Sequence, residues 1–259
     1  MTANIDTILL IGATSGIGEA FARYFHSKGK RVIAAGRRLE RLNALKSELK
    51  GLETFQMDVE DIPNIESKLT SLFKTYPDLD SVFVVSGIMS LGLFKDPSTT
   101  SAQGIVSEVT TNLIAPMVIA RTVIPHLLAL KRPTTFMTVT SGLAYIPLPL
   151  FPVYEATKIG VHNFTVVLRT QLAGTNVNVI EVAPPYVATD LDSKFKAKQD
   201  ELQGGEGHPP MPLKDYMEVT TKQLEEGKEK ELATGFSAMG VSAWRGAFQP
   251  LFDQFGLTG

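Results

Sequence analysis

Short apolar, β-branched runs alternate with stretches of helical periodicity through most of the chain. Residues 7–11 (Thr-Ile-Leu-Leu-Ile) read as a strand buried on both faces, and a helical pattern follows over about 16–28. A second strand is expected at 31–35 and a charged helix at 39–49, then a strand at 54–57 and a helix at 62–73. Residues 81–85 form another apolar strand that ends near Gly87. A long helical stretch over about 100–130 precedes strands at 134–140 and 177–182, with a helix over about 153–172 between them. Such alternation predicts right-handed βαβ units and a parallel sheet covered by helices on both faces.

The rhythm breaks after Ala183. Residues 191–214 are polar and contain Gly204-Gly205-Glu206-Gly207-His208-Pro209-Pro210, which predicts a long loop of functional or disordered character. Helical patterns return at 213–226 and 238–255, around a short strand at 231–234. No repeat or linker divides the chain, so one domain over residues 1–259 is expected.

Composition narrows the chemistry. The 259 residues are 44% hydrophobic and 20% charged with a net charge of −2, which offers no basic surplus for nucleic acid. Cysteine is absent, so disulfides, thiolate catalysis and cysteine-bound zinc are excluded. The four histidines lack metal-ligand spacing and no metal site is expected; His162 is expected to be packed in its helix. The start of the sequence lacks the pattern of a signal peptide, and no apolar run approaches the ~18 residues of a membrane span. A cytoplasmic protein without a membrane partner is the expectation.

Gly12-Ala13-Thr14-Ser15-Gly16-Ile17-Gly18 follows the first strand and opens the first helix. Glycines there allow backbone to approach a phosphate, and the helix N-terminus supplies unpaired N–H groups. The second strand ends in Gly36-Arg37-Arg38 with no carboxylate before Glu40, a pattern suited to a 2′-phosphate and so to NADP(H) over NAD(H). Further along, Tyr154 and Lys158 stand four apart, which stacks a phenol and an ammonium on one helix face. A cation beside a phenol favours the phenolate, and a fall of ~3 pKa units would represent roughly 4 kcal/mol.

In order, Gly12-x-x-x-Gly16-x-Gly18, Asp58, Asn112, Ser141 and Tyr154-x-x-x-Lys158 resemble the short-chain dehydrogenase/reductase family over essentially the whole chain. Ser141 precedes Tyr154 by thirteen residues, as the family's serine does. Within the family, residues 183–191 and Met211-Pro212-Leu213 look like the DltE-like oxidoreductase subgroup. The resemblance implies a single-domain Rossmann-type α/β fold, a doubly wound parallel sheet of about seven strands. It also implies a substrate-binding region at about 186–215, a C-terminal extension at 236–259, and a homodimer or homotetramer.

By the same resemblance, Tyr154 would exchange a proton with the substrate oxygen and Lys158 would lower the Tyr154 pKa. Ser141 would polarise the carbonyl, and Asn112 would hold the helix and a relay water. Gly12, Thr14, Ser15, Gly16, Ile17, Gly18, Arg37, Arg38, Asp58, Val59, Ser86, Gly87, Pro184, Val187 and Thr189 would line the NADP(H) site, joined by Tyr154 and Lys158. Met89, Leu143, Phe151 and Tyr186 would face a substrate, and the apolar character of these segments suggests a hydrophobic ketone or alcohol. Four features depart from the family pattern: Val84-Val85-Ser86-Gly87 replaces the usual Asn-Asn-Ala-Gly, Ile11 the common threonine before the first glycine, Pro185 the common glycine after Pro184, and Glu155 follows the tyrosine, where its charge suits a helix start. The altered Val84-Val85 segment leaves two alternatives to a carbonyl reductase: a non-redox isomerase or cyclase, and a nucleotide-binding sensor without turnover.

Overall fold

A computed structural model describes residues 5–202 and 209–257. Seven parallel strands form one sheet in the order β3-β2-β1-β4-β5-β6-β7. They are β1 (Thr7–Ile11), β2 (Arg31–Gly36), β3 (Glu53–Gln56), β4 (Ser81–Val84), β5 (Thr134–Val139), β6 (Val177–Ala183) and β7 (Glu231–Ala233). The helices are α1 (Gly16–Ser27), α2 (Leu39–Glu48), α3 (Ile62–Thr75), α4 (Ala102–Val109), α5 (Ala115–Ala129), α6 (Pro152–Gln171), α7 (Lys196–Leu202), α8 (Leu213–Glu226) and α9 (Phe236–Gln254). The expected elements are present with small shifts of their ends.

Alternate residues of each strand feed two cores, as a pleated sheet covered on both faces requires. Leu9, Ile11, Ile33, Val82 and Phe136 pack with Ile65 and Leu69 of α3, Ile119 and Val123 of α5, and Leu168 of α6. Ile8, Leu10, Val32, Ala34 and Phe83 face the other way, onto Phe21 and Phe25 of α1, Leu42 of α2, and Tyr216 and Leu224 of α8. Full burial of each such side chain contributes about 1.5–3 kcal/mol.

Strand β1 pairs with β2 on one side and β4 on the other, so the chain order reverses beside it. That reversal opens a crevice at the carboxyl ends of β1 and β4, where open parallel sheets bind ligands. The N–H groups of Val85 and Ser86 both donate to the Ile11 carbonyl at 2.8 Å, fixing the two lips of the crevice.

Three expectations are corrected. The long helix is not uniform: residues Thr110–Ile114 form a π-helical turn between α4 and α5. Taken together, Ala102–Ala129 is also long and apolar enough by composition to cross a membrane, contrary to the reading from uninterrupted apolar runs. Its apolar side chains Ala115, Ile119, Val123 and Leu127 are buried in the sheet's core, which accounts for the composition. Residues 191–214 are not simply loop. A 3₁₀ turn at Asp190–Asp192 and helix α7 occupy part of the segment, and Met211 bridges to Val187. The remainder, with His208, falls partly outside the described residues.

Candidate active site and dinucleotide cleft

The glycine loop turns where side chains have no room. Gly12 has φ +105°, and a Cβ there would lie 2.5 Å from the Ser86 nitrogen. A Cβ on Gly18 would lie 2.1 Å from the Gly12 carbonyl oxygen, so α1 starts directly against the loop. Ser86 Oγ is buried without a hydrogen-bond partner. A cradle closed to side chains, an unpartnered hydroxyl and the N-terminus of α1 together suit a phosphate-bearing cofactor.

Arginines frame this loop. Arg38 donates to Thr14 Oγ1 at 2.6 and 3.0 Å and to Ser15 Oγ at 2.7 Å. Arg41, which the sequence did not single out, donates to the Thr14 carbonyl at 3.3 Å. Burial lowers the Arg38 pKa, and the charges of Arg41 and Arg37 add to that. Three crowded guanidinium groups make a cationic rim that an anion would relieve. Arg37 is more exposed and lies 3.8 Å from Glu60. Glu60 in turn accepts from Ser107 and Thr111 on the helix across the crevice. Asp58 accepts from the Glu60 N–H at 3.1 Å and stabilises its own turn, while Val59 is buried beside it. At the opposite lip, Thr189 packs against Gly16, and the Pro184 carbonyl accepts from Gly142 N–H at 2.8 Å.

The four residues of the expected catalytic set converge and are all buried. Asn112 sits in the π turn, where its amide bonds both backbone groups of Ile88 and donates to Thr157 Oγ1 at 3.2 Å. Ser141 caps a short 3₁₀ turn by accepting from Leu143 N–H at 3.1 Å, and its side chain also hydrogen-bonds the Tyr154 phenol. Lys158 donates to the Val139 carbonyl at 2.9 Å, and its Nζ lies 5.4 Å from the Tyr154 ring centroid.

The direction of the Tyr154 shift is a correction. Burial pushes the phenol up to about 12; the Ser141 hydrogen bond opposes this, while the Glu108 and Glu155 charges add to it. Burial lowers Lys158 to about 8, against an opposing pull from Glu108. Desolvation therefore sets the direction of both shifts, and the phenol rises where a fall was expected. At neutral pH the phenol keeps its proton, and Lys158 stays largely charged.

Beside the phenol, Leu91, Leu143, Leu150, Phe151 and Tyr154 form a separate apolar cluster, with Met89, Leu93, Phe195 and Phe236 against it. Met89, Leu143 and Phe151 thus gather as expected. Tyr186 does not join them: its hydroxyl bonds the buried Asp192 carboxylate and secures the following turn. Glu155 lies in the first turn of α6 as expected, and its Oε1 also accepts from Leu148 N–H at 2.8 Å, tying down the segment before the helix.

Behind Ser141, the fully buried Glu181 carboxylate accepts from Thr140 and Tyr145 hydroxyls at 2.6 and 2.7 Å. His162 Nδ1 lies 2.8 Å from the same carboxylate, so this histidine is packed as expected. A glutamate inside an apolar strand was the sequence signal for this network.

Comparison with known proteins places these features in context. Residues 6–200 match the family described as short chain dehydrogenase. An uncharacterized oxidoreductase DltE of Bacillus subtilis is 35% identical over 252 residues, 96% of each chain. An NADP-dependent 3-hydroxy acid dehydrogenase YdfG of Escherichia coli K12 is 33% identical over 195 residues, 75% of this chain and 77% of the relative. Among solved structures, the closed form of a serine dehydrogenase complexed with NADP+ superimposes with a TM-score of 0.76 at 27% identity, covering 88% of this chain and 94% of that one.

Proposed function

The chain belongs to the short-chain dehydrogenase family, an oxidoreductase family, and we propose that it is an NADP(H)-dependent carbonyl reductase acting on a hydrophobic ketone or the matching alcohol. The observation that carries this reading is the buried, protonated Tyr154 phenol, flanked by Ser141 and Lys158 at the foot of an apolar wall. When bound in the cleft, NADP(H) would supply or accept the hydride.

The residues of this chain would manage the proton and the geometry. Ser141 would hold the substrate oxygen, and Tyr154 would give its proton to that oxygen as negative charge develops there. Lys158 would offset the charge left on the phenolate. The wall built by Met89, Leu91, Leu143 and Phe151 favours an apolar substrate body and excludes water. Arg37 and Arg38 support the 2′-phosphorylated cofactor, as do the NADP-dependent relative and the NADP+-bound structure. The dimer or tetramer and the cytoplasmic setting expected from sequence belong to the same proposal.

NADPH absorbance followed against a panel of hydrophobic ketones tests the reading, with Tyr154→Phe as control. Turnover is expected in wild type and a loss of about 10²- to 10⁴-fold in the variant. A variant as active as wild type would remove Tyr154 from the chemistry.

A further inference from the structure

Glu181 is a fully buried carboxylate among the apolar residues of β6, and the reaction just described does not use it. Both of its oxygens are engaged. Oε1 accepts from Thr140 Oγ1 at 2.6 Å and from the Tyr145 hydroxyl at 2.7 Å, while Oε2 lies 2.8 Å from His162 Nδ1. The Tyr145 hydroxyl also lies 3.0 Å from that nitrogen, which closes the group into a loop of hydrogen bonds. An apolar residue in β6 would avoid the cost of burying a carboxylate, so this one calls for a reason.

Its partners supply one. Thr140 and Tyr145 stand on either side of Ser141 and the 3₁₀ turn Gly142–Ala144. A single oxygen therefore ties both ends of the segment that presents Ser141. His162 lies on α6, one turn beyond Lys158 and about two beyond Tyr154. The second oxygen thus ties the same segment to the helix that carries Tyr154. Backbone bonds from Thr140 and Gly142 run to the Val182 and Pro184 carbonyls and do not reach α6. Helix α9 closes over the group: the Trp244 ring meets His162 edge to face at 4.4 Å, and a Cβ on Gly240 would stand 2.7 Å from Tyr145 Cβ.

Resting on the reductase reading, we propose that Glu181 is a positioning residue for the Ser141–Tyr154 pair. It braces the Ser141 turn against α6 and so fixes the spacing of the two hydroxyls that address the substrate oxygen. A carboxylate accepts only, which assigns the hydrogen of the histidine bond to Nδ1. A glutamine in either orientation would put its NH₂ where one of these donors now points. His162 could yield by moving its hydrogen to Nε2, but that atom is buried with no hydrogen-bond partner among the described residues.

Tyr145→Phe removes one hydroxyl and keeps the ring beside Trp244. Its kcat for ketone reduction should fall about 10- to 100-fold, as expected for misplacing a reacting group by about 1 Å, with NADPH affinity within about twofold of wild type. Thr140→Val should lower kcat in the same way, whereas Thr140→Ser keeps the hydroxyl and should recover most of it. A merely structural role would lower the melting temperature of these variants without moving kcat or separating Ser from Val. Wild-type kcat in Tyr145→Phe would overturn the proposal, as would equal losses in Thr140→Ser and Thr140→Val. In cofactor-free crystals the separation of Ser141 Oγ and Tyr154 Oη should be longer in Glu181→Gln than in wild type, with Tyr145→Phe taking its place if the Gln variant fails to fold. If wild type reduces no ketone, the reductase reading falls, and the crystals still decide the brace: an unchanged separation overturns it.

Discussion

The Asn112 carboxamide clasps the backbone of Ile88, accepting from its N–H at 2.9 Å and donating to its carbonyl at 2.8 Å. This pair fastens the segment after β4 to the π turn, and a third bond reaches Thr157 on α6. Asn112→Ala would leave part-buried backbone groups of Ile88 unpaired, with a cost of up to about 1–3 kcal/mol for a group left unsatisfied. Urea denaturation should register that loss, and NADPH binding should weaken with it.

Arg37 and Arg38 should differ under mutation. Arg38 braces Thr14 and Ser15, whereas Arg37 is exposed and paired only loosely with Glu60. Arg37→Ala should lower affinity for NADPH and spare NADH, since a charge-assisted hydrogen bond is worth about 1.5–3 kcal/mol, roughly 10- to 150-fold. Arg38→Ala should weaken both cofactors, because the loop loses its brace. Fluorescence titration with each nucleotide separates the two patterns; an unchanged NADPH/NADH ratio in Arg37→Ala would count against the phosphate role.

The two directions of reaction should respond oppositely to alkali. Reduction needs the Tyr154 phenol, held up to about 12, and the Lys158 ammonium, held down to about 8. Its rate should therefore fall as pH rises past 8 and the ammonium is lost. Alcohol oxidation needs the phenolate, so its rate should still be climbing at pH 10. Initial rates in both directions across pH 6–10 would check the signs.

Gly18→Ala should disrupt the cofactor loop. Its Cβ would stand 2.1 Å from the Gly12 carbonyl oxygen, a backbone atom with no freedom to swing aside. A loss of about 1–3 kcal/mol in stability is expected from overpacking, together with loss of nucleotide binding. Thermal unfolding with and without NADPH would measure both, and a variant that NADPH stabilises as strongly as wild type would refute the close-approach argument.

The sheet was legible because strands covered on both faces are apolar along most of their length, as Thr7–Ile11 and Ser81–Val84 are after their first residue. Gly12, Ser141, Tyr154 and Lys158 were legible through spacing. Glu108 was not, since a lone glutamate on an amphipathic helix reads as solvent-facing until the segment after β4 is placed against it. Arg41 stayed hidden because its partners, the Thr14 carbonyl and Asp190, are remote from it in sequence. Tyr186 looked like a pocket residue because its aromatic character was visible and its bond to Asp192 was not.

The π turn has a consequence for how this protein tolerates change. An α-helix advances 100° per residue, so the wider turn at Thr110–Ile114 resets the angular phase between α4 and α5. The upstream part directs Glu108 to the Ser90 N–H after β4, while the downstream part directs Ile119 and Val123 into the sheet's core. Deleting one residue within the turn would restore ordinary helix and swing one half by about 100° against the other. Either the active-site face or the core face would then be misaimed. The irregularity works as a phase shifter, letting one continuous helix answer to two different neighbours.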